Sequence, residues 1–305
     1  YFVCNPALAE EEPTLGQLPE NQKAGKKPSY CMIKAGTWGK NPKQIHNFYS
    51  MKYFDCPDDE LNIKVGDCSL TETHMSGFSR VSEEDAANHP EYMSDAGDMM
   101  WDLDINKKIT FNVGYGANSF FRKLNAFEMF WHAEGMKTEY AGTVTWNDEV
   151  YDVIPEKSYG YADKNWGGDF TSPWLWISSC NITSLITGKK LNNSAFEAGG
   201  GRPKAFGIEI PRKLLIGFYY EGTMYEYNFA RFWNLVKIDF DNCTSLCRSK
   251  LEIRSASEKT VLKAIGCEDC VLGSEARPAF FSHAAHTVIL GNENECTVVC
   301  DPRRR

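Results

Sequence analysis

Apolar and polar residues alternate in many short stretches from about residue 46 onward. Examples are LNIKVGD, KITFNVGY, KAFGIEI and LVKIDFD, and such stretches are bounded by Gly, Asp and Asn. A period of two sends successive side chains to opposite faces of a strand, and the residues between the stretches are typical of antiparallel turns. The pattern therefore predicts an all-β protein, either a sandwich or a barrel, with very little helix.

Two segments need a closer look. Ser82 precedes a run of acidic residues and the stretch ends at Pro90, which predicts one short helical turn with Ser82 as its N-cap. Residues 122–136, RKLNAFEMFWHAEGM, fit either the face of a helix or a strand. The β-rich sequence that follows, with a hairpin turn at Asn147 and Asp148, favours a strand.

Three parts of the chain differ in composition. Residues 1–45 are rich in Pro, Gly, Lys and Glu, which predicts an extended, exposed lead-in. Residues 46–241 carry the alternating stretches and are expected to form the β domain or domains. Residues 242–305 are rich in Cys and Ser, and both 251–263 and 278–290 are ambiguous in secondary structure. We expect this C-terminal segment to diverge from the rest; strands within it would complete a second barrel.

Charge and composition argue against two classes of partner. The net charge is −8 and the pI about 5.4, and no stripe of Lys and Arg is present, so we expect no nucleic-acid partner. No stretch approaches the ~18 apolar residues that span a bilayer. The N-terminus lacks the pattern of a signal peptide, so we expect a reducing cytoplasm.

The 11 cysteines raise the question of a metal site. Cys267 and Cys270 form a C-x-x-C motif, but the neighbouring cysteine pairs have C-x-x-x-C spacing and unequal gaps between them. This spacing disfavours a zinc site, and we expect no metal.

The stretch from Tyr159 to Cys180, YGYADKNWGGDFTSPWLWISSC, concentrates tryptophan and tyrosine side chains together with an acid and an amide. On a strand, Tyr161, Asp163 and Asn165 point to one face, so a phenol, a carboxyl group and an amide share the same space. Two tryptophans repeat this spacing on the strand that follows, at positions 174 and 176. The stretch therefore predicts the wall of an apolar pocket with an acid at its floor.

An acid between aromatic walls has a distinct chemistry. Desolvation should raise the pKa of the Asp163 carboxyl, which could then donate a proton near neutral pH. Aromatic faces would stabilise a carbocation by about 0.5–2 kcal/mol each. The alternative is that Asp163 binds backbone amides at the end of a strand and that the tryptophans only fill a core.

Several motifs together resemble the tocopherol cyclase-like family. Besides YGYADKNWGGDFTSPWLWISSCN, they are HNFY, VGDCSLTETHMSG, HPEYMSDAGDMMWDLDI and FEMFWHAEGMKTEYAGTV. The resemblance runs from about Gly36 to Trp233 and is closest to bacterial members. Family members are similar to the carotenoid hydratases, so the resemblance implies a lipocalin-like architecture with two β sub-domains.

The resemblance also implies a set of site residues. The hydratases use a Tyr-x-Asp pair with an upstream histidine and tryptophan, so the implied catalytic residues are Asp163 as the acid, Tyr161 as its hydrogen-bond partner, and His132. Substrate contacts are implied or expected for Trp131, Glu134, Asn165, Trp166, Trp174 and Trp176. His132 and Glu134 would share a face on a strand and could tune a proton, although a histidine satisfied within a core is the alternative. The implied reaction needs no cofactor.

Three functions fit these residues. The first is a cofactor-free cyclisation, hydration or isomerisation of a prenylated alkene, in which an acid protonates the double bond and a phenol oxygen or water captures the cation. The second is a lipocalin-like carrier of a hydrophobic small molecule. The third is a structural β protein. The first two imply an apolar prenyl or lipid-like partner, which the protein could collect by touching the periphery of a membrane. The oligomeric state is left open.

Overall fold

The computed structural model describes most of the first 228 residues and separate strands beyond them. The described ranges are 2–6, 12–16, 18–38, 41–57, 59–111, 124, 126–127, 129–167, 174–184, 187–211, 213–228, 236–243, 248–255, 261–265, 284–291 and 297–300.

Strands dominate the described chain. In order they are β1 (Phe2–Pro6), β2 (Ser29–Thr37), β3 (Lys43–Tyr49), β4 (Phe54–Asp55), β5 (Asn62–Val65), β6 (Cys68–Thr71), β7 (His74–Val81), β8 (Gly97–Phe111), β9 (Met129–Trp146), β10 (Glu149–Val153), β11 (Tyr159–Gly167) and β12 (Trp174–Ser179). They continue with β13 (Ile182–Thr183), β14 (Lys190–Leu191), β15 (Ala195–Gly201), β16 (Lys204–Ala205), β17 (Ile208–Glu209), β18 (Lys213–Tyr220), β19 (Thr223–Asn228), β20 (Val236–Cys243), β21 (Arg248–Ser255), β22 (Val261–Ile265), β23 (Ala284–Gly291) and β24 (Thr297–Cys300).

Helices are few and short. They are α1 (Pro19–Lys23), α2 (Glu83–Asn88) and the 3₁₀ turns Met51–Tyr53 and Pro90–Tyr92. The predicted cap is confirmed, because the Ser82 hydroxyl accepts a hydrogen bond from the Asp85 amide at the start of α2. Among the described residues, no helix has the length and apolar character to cross a membrane.

Antiparallel sheets account for the strands. A twelve-stranded sheet runs in the order β3-β2-β1-β23-β11-β9-β8-β7-β6-β5-β4, with β10 also paired to β9. A second sheet of four strands runs β12-β15-β18-β19, and a third runs β20-β21-β22-β24. The all-β prediction is confirmed, and it is the sandwich rather than the barrel that forms, since the described strands do not close into a barrel.

The hairpin of β8 and β9 organises the large sheet. The two strands have 15 and 18 residues, which is long for a globular protein. The strand prediction within 122–136 is therefore confirmed from Met129 onward. The turn between β9 and β10 is the predicted one, since Asn147 and Asp148 have φ values of 45° and 72°, as a type I′ hairpin turn requires.

Two hydrophobic clusters lie along this hairpin. The first joins β1 and β2 to β5–β10 and contains Phe2, Cys31, Ile33, Ile63, Val65, Cys68, Leu70, Met75, Leu103, Ile105, Tyr140 and Val153. The second joins the large sheet to the four-stranded sheet and contains Ile109, Phe111, Ala133, Met136, Tyr161 and Ala195. Register shifts between β9 and β11, at Ala162 and Asp163, lie next to Tyr161 of the second cluster. The candidate chemistry is therefore placed between two packed sheets.

The N-terminal part is not the exposed lead-in that composition predicted. Strand β1 pairs with β2, and residues 30–33 of β2 are almost completely buried. The prediction is wrong here because both faces of YCMI are packed: Cys31 and Ile33 lie in the first cluster, and Tyr30 and Met32 pack with Leu15 on the other face. Local composition around 13–28 concealed this pairing.

Part of the C-terminal segment also belongs to the large sheet. Strand β23 pairs with β1 on one side and with β11 on the other. Residues 251–263 and 278–290, which the sequence left ambiguous, contribute strands where they are described. Cys267 and Cys270 lie outside the described residues, so the zinc question is not addressed there.

Candidate functional site

Strand β11 places three predicted side chains on one face of the large sheet. The Tyr161 hydroxyl donates to Asp163 Oδ2 at 3.3 Å, and Asn165 Nδ2 donates to the same oxygen at 2.9 Å. Asp163 is 6% exposed and Tyr161 3%. The predicted shared face and the burial of Asp163 are therefore confirmed.

Trp131 joins this group from the neighbouring strand. In β9 it lies directly opposite Asn165, and its indole Nε1 donates to Asp163 Oδ2 at 3.0 Å and to the Tyr161 hydroxyl at 3.1 Å. Donors directed at one carboxylate oxygen favour its ionised form, whereas burial favours the neutral form. The two effects oppose each other at Asp163, and its proposed raised pKa stays a prediction.

The second sheet supplies another carboxyl group. Trp176 in β12 packs its ring 5.2 Å from the Tyr161 ring, and its indole Nε1 donates a hydrogen bond to Glu197 Oε1. Glu197 lies in β15 opposite Ser178 and has no exposed surface. Burial raises the pKa of the Glu197 carboxyl well above its usual range; polar groups of Ser178, Trp176 and Tyr161 counteract this, and the charge of Asp163 adds to it.

Glycines in the second sheet make room for aromatic rings of the first. A Cβ at Gly199 would lie 3.1 Å from the Trp131 ring, and one at Gly217 would lie 2.7 Å from the Phe111 ring. From its composition alone, the glycine-rich segment 199–204, GGGRPK, predicts a flexible loop at the mouth of the pocket. Its glycines instead lie in β15, so that expectation is wrong: they serve close sheet packing.

The opposite face of β9 and β11 carries three other predicted residues. His132 lies opposite Lys164 in the register, and burial lowers the pKa of its imidazole. Glu134 forms a 3.0 Å ion pair with Lys107, and both side chains are nearly buried. Trp166 stacks its ring 5.8 Å from Phe130 and lies under the Lys164 ammonium.

These placements correct the expectation that His132, Glu134 and Trp166 line the same space as Asp163. A period of two puts Trp166 on the face away from Asn165, and His132 on the face away from Trp131. The structure thus brings together Trp131, Tyr161, Asp163, Asn165 and Trp176. Trp174 begins β12, and its side chain lies outside the described part.

Glu197 was missed at the level of sequence. It lies in AFEAGGG, a run in which both alternating sets of residues are small or apolar apart from the glutamate. Such a run predicts a strand buried on both faces, and an acid within it is a buried acid. That signal was available but was obscured by the glycines, which suggested a loop.

The described residues contain no group of three or more His, Cys, Asp or Glu that could hold a metal ion. What the site does contain is two buried carboxyl groups on facing sheets, with a phenol and two indoles between them. Such an arrangement can hold, donate and accept a proton in apolar surroundings.

Comparisons with known proteins agree with these features. A family model described as tocopherol cyclase-like matches residues 28–236, which include every residue of the site. The chain is 32% identical over 149 residues to a chloroplastic tocopherol cyclase of Zea mays, an alignment that covers 45% of this chain and 29% of that protein. It is 34% identical over 104 residues to a probable chloroplastic tocopherol cyclase of Oryza sativa subsp. japonica, covering 33% of this chain and 20% of that protein.

The chain thus spans less than a third of the length of these curated relatives. No solved structure matches it. The likeness to bacterial members and to the carotenoid hydratases stays a prediction. Because the family model covers more than half of the chain, including every strand that carries a site residue, the chain belongs to the tocopherol cyclase-like family.

Proposed function

We propose that the protein catalyses the cofactor-free, acid-catalysed cyclisation of a prenylated phenol, or the related hydration or isomerisation of a prenylated alkene. The observation that carries the proposal is the buried Asp163 carboxyl, held by donors from Trp131, Tyr161 and Asn165. Membership of a family named for tocopherol cyclase supports the same class of reaction.

The reaction balances with protons alone. Asp163 transfers its carboxyl proton to one carbon of the double bond, and the other carbon becomes a tertiary cation. A phenol oxygen, or water in a hydration, forms the new C–O bond. The O–H proton then passes to the Asp163 carboxylate, which restores the acid. Since three donors are directed at Oδ2, the transferable proton would be carried by Oδ1.

The surrounding side chains have distinct roles. Tyr161, Asn165 and Trp131 fix the orientation of the carboxyl group, and they stabilise the carboxylate that forms when the proton leaves. The faces of Trp131 and Trp176 attract the cation. We assign no direct contact with the reacting atoms to His132, because it lies on the opposite face of the sheet.

The partner proposed is an apolar prenyl compound. Collection of such a compound at the periphery of a membrane, and a cytoplasmic location, stay predictions. A pure carrier is the weaker alternative, because an apolar ligand gains nothing from a buried carboxyl group bound by three donors.

The test is the replacement Asp163→Asn, assayed with a synthetic prenylated phenol in D₂O. The wild type should place one deuterium on the carbon that receives the proton. The variant should lose turnover by at least about 100-fold, because the proton donor is gone, while ligand affinity changes only a few-fold. Asp102→Asn, on the exposed face of β8, is the matched control and should keep wild-type turnover.

Wild-type turnover by the Asp163→Asn variant would show that Asp163 is not the acid. Ligand binding by a wild type that forms no product would favour the carrier instead.

A further inference from the structure

Glu197 is a buried carboxyl group that the reaction above does not use. It lies in β15, between β12 and β18, and pairs across the sheet with Ser178 and Gly217. Gly199, two residues further on the same face, packs under Trp131, and Gly217 packs under Phe111. The Glu197 side chain therefore enters the space between the two sheets, on the side where Asp163 lies.

A purely structural role explains this glutamate poorly. Its Oε1 accepts a hydrogen bond from the Trp176 indole, but Oε2 is buried and has no hydrogen-bond partner among the described residues. Buried polar atoms are ordinarily paired, and an unpaired one needs an explanation. A neutral carboxylic acid suits the position, since it lacks the charge that burial penalises.

Tyr161 links the two carboxyl groups. Its hydroxyl donates to Asp163 Oδ2, and its ring packs on Trp176, which binds Glu197. The described contacts include no direct hydrogen bond between the Tyr161 hydroxyl and Glu197, so a proton transfer between them requires the unpaired Oε2 to turn toward the hydroxyl. A phenol between two acids can pass a proton by accepting one as it donates another.

The surroundings of the two acids differ. Asp163 receives three donors on one oxygen, which favours a carboxylate, whereas Glu197 is fully buried beside that negative charge. Two coupled carboxyl groups in one apolar site hold a single proton over a wide pH range.

Resting on the proposed function, we propose that Glu197 is the second acid–base group of the site: it stores the proton between turnovers and delivers it to Asp163 through the Tyr161 hydroxyl. Glu197 gives its proton to Tyr161 Oη while the Tyr161 O–H proton moves to Asp163, so Tyr161 is neutral before and after. Asp163 then protonates the alkene. Both carboxylates face the cation, and the proton released on C–O bond formation returns through Asp163 and Tyr161 to Glu197.

Few other groups near Glu197 can titrate. Those that act on it or respond to it are Asp163 and Tyr161 from β11, and Cys180 directly after β12. Burial raises the pKa of Tyr161 well above its usual range and that of the Cys180 thiol to about 11, although Lys137 lowers the latter. Between about pH 5 and pH 9 the carboxyl pair therefore dominates titration of this part of the site.

The test compares Glu197→Gln with the wild type in the same assay with a prenylated phenol. Glutamine keeps the volume and the acceptor for Trp176 but stores no proton. We expect kcat to fall by about 100-fold, KM to change less than about threefold, and the decline of kcat with rising pH to move to lower pH, because Asp163 must then take its proton from solvent. Glu149→Gln, on the exposed strand β10, is the matched control and should behave as the wild type.

A relay also predicts how variants combine. Tyr161→Phe breaks the same path as Glu197→Gln. The kcat of the double variant should therefore lie within about twofold of the kcat of the slower single variant. Independent effects that multiply would overturn the proposal. So would a Glu197→Gln variant with a wild-type pH profile, whether or not its kcat falls, because a structural role would leave the profile unchanged.

Infrared spectroscopy tests the stored proton without any assay. The wild type at neutral pH should show the carbonyl band of a protonated carboxyl group that shifts in D₂O, and Asp163→Asn should keep it. Absence of the band from the wild type would overturn the inference even if Glu197→Gln does not fold. The proposed function fails separately: in that case Asp163→Asn keeps wild-type turnover.

Discussion

At the scale of single residues, Asp163 and Glu197 are buried carboxyl groups with different surroundings. Asp163 is buried but receives three donors on a single oxygen. Glu197 is buried with fewer hydrogen bonds to its carboxyl group, and burial raises the pKa of that group well above its usual range. Pairs of acids whose environments push their protonation apart are typical of sites that transfer protons.

This contrast predicts a pH-dependent stability. Above about pH 4.5 the unfolded chain releases the Glu197 proton while the folded protein keeps it, so the free energy of unfolding falls as pH rises toward the folded-state pKa. Glu197→Gln removes that loss. The melting temperature of the variant relative to that of the wild type should therefore rise between about pH 5 and pH 8. The rise should be roughly 2–4 °C for each kcal/mol of unfolding free energy that the wild type loses over this range. In the Glu149→Gln control, the difference from the wild type should not vary with pH over this range, and a constant difference for Glu197→Gln would contradict the prediction.

Residue spacing predicted one half of the site and not the other. The i, i+2 spacing of Tyr161, Asp163 and Asn165 predicted their common face, because successive side chains of a strand alternate between its two faces. The same alternation places Trp166 on the other face, so it was inconsistent to expect Trp166 to contact the substrate beside Asp163. Glu197 could not be paired with Asp163 from sequence, because the two meet only when separate sheets pack.

At the scale of elements, the contact between the two sheets depends on missing side chains. Gly217 in β18 faces Phe111 of β8 so closely that a Cβ would lie 2.7 Å from the ring. An aromatic ring in a packed core cannot yield as the end of a flexible side chain does. The glycine is therefore a packing residue, and its φ is not in the left-handed region that only glycine favours.

Gly217→Ala should accordingly destabilise the protein by about 1–3 kcal/mol, the usual range for overpacking a core. Chemical denaturation would measure the change. The double variant with Phe111→Leu should recover part of the loss, because a smaller side chain vacates the space in which the added methyl group clashes. Strictly additive losses in the double variant would show that the two positions do not contact each other.

Elements were easier to predict than their partners. Alternation identified the strands, and Asn147 and Asp148 identified the hairpin, because both signals are local. The strand 129–146 was correctly preferred over a helix for the same reason. Residues 29–37 were misjudged because the side chains that bury them come from distant strands, as Ile63 and Leu70 do, or from a region of unremarkable composition, as Leu15 does.

At the scale of the whole molecule, strand β11, which carries Asp163, is supported by strands from distant parts of the sequence. Strand β23 lies between β1 and β11, so residues near the C-terminus pair with Asn165 and Asp163 on one side and with Phe2 and Cys4 on the other. Such pairings between distant segments are invisible to local patterns and carry a large loop-closure entropy. They also mean that the alignment of Asp163 depends on backbone hydrogen bonds far from it in sequence.

Val288→Pro should expose this dependence. Val288 lies opposite Ala162 in the middle of β23, and proline there removes a backbone donor and does not fit a central strand. Hydrogen exchange measured by mass spectrometry should rise in 159–167 and in 2–6, and turnover should fall, because β11 no longer holds the acid in one geometry. Val298→Pro disrupts β24, which pairs with β22 in another sheet, and should leave exchange in 159–167 at the wild-type level. If the two proline variants raise hydrogen exchange in 159–167 equally, the effect comes from general unfolding of the C-terminal segment. In that case β23 does not specifically support β11.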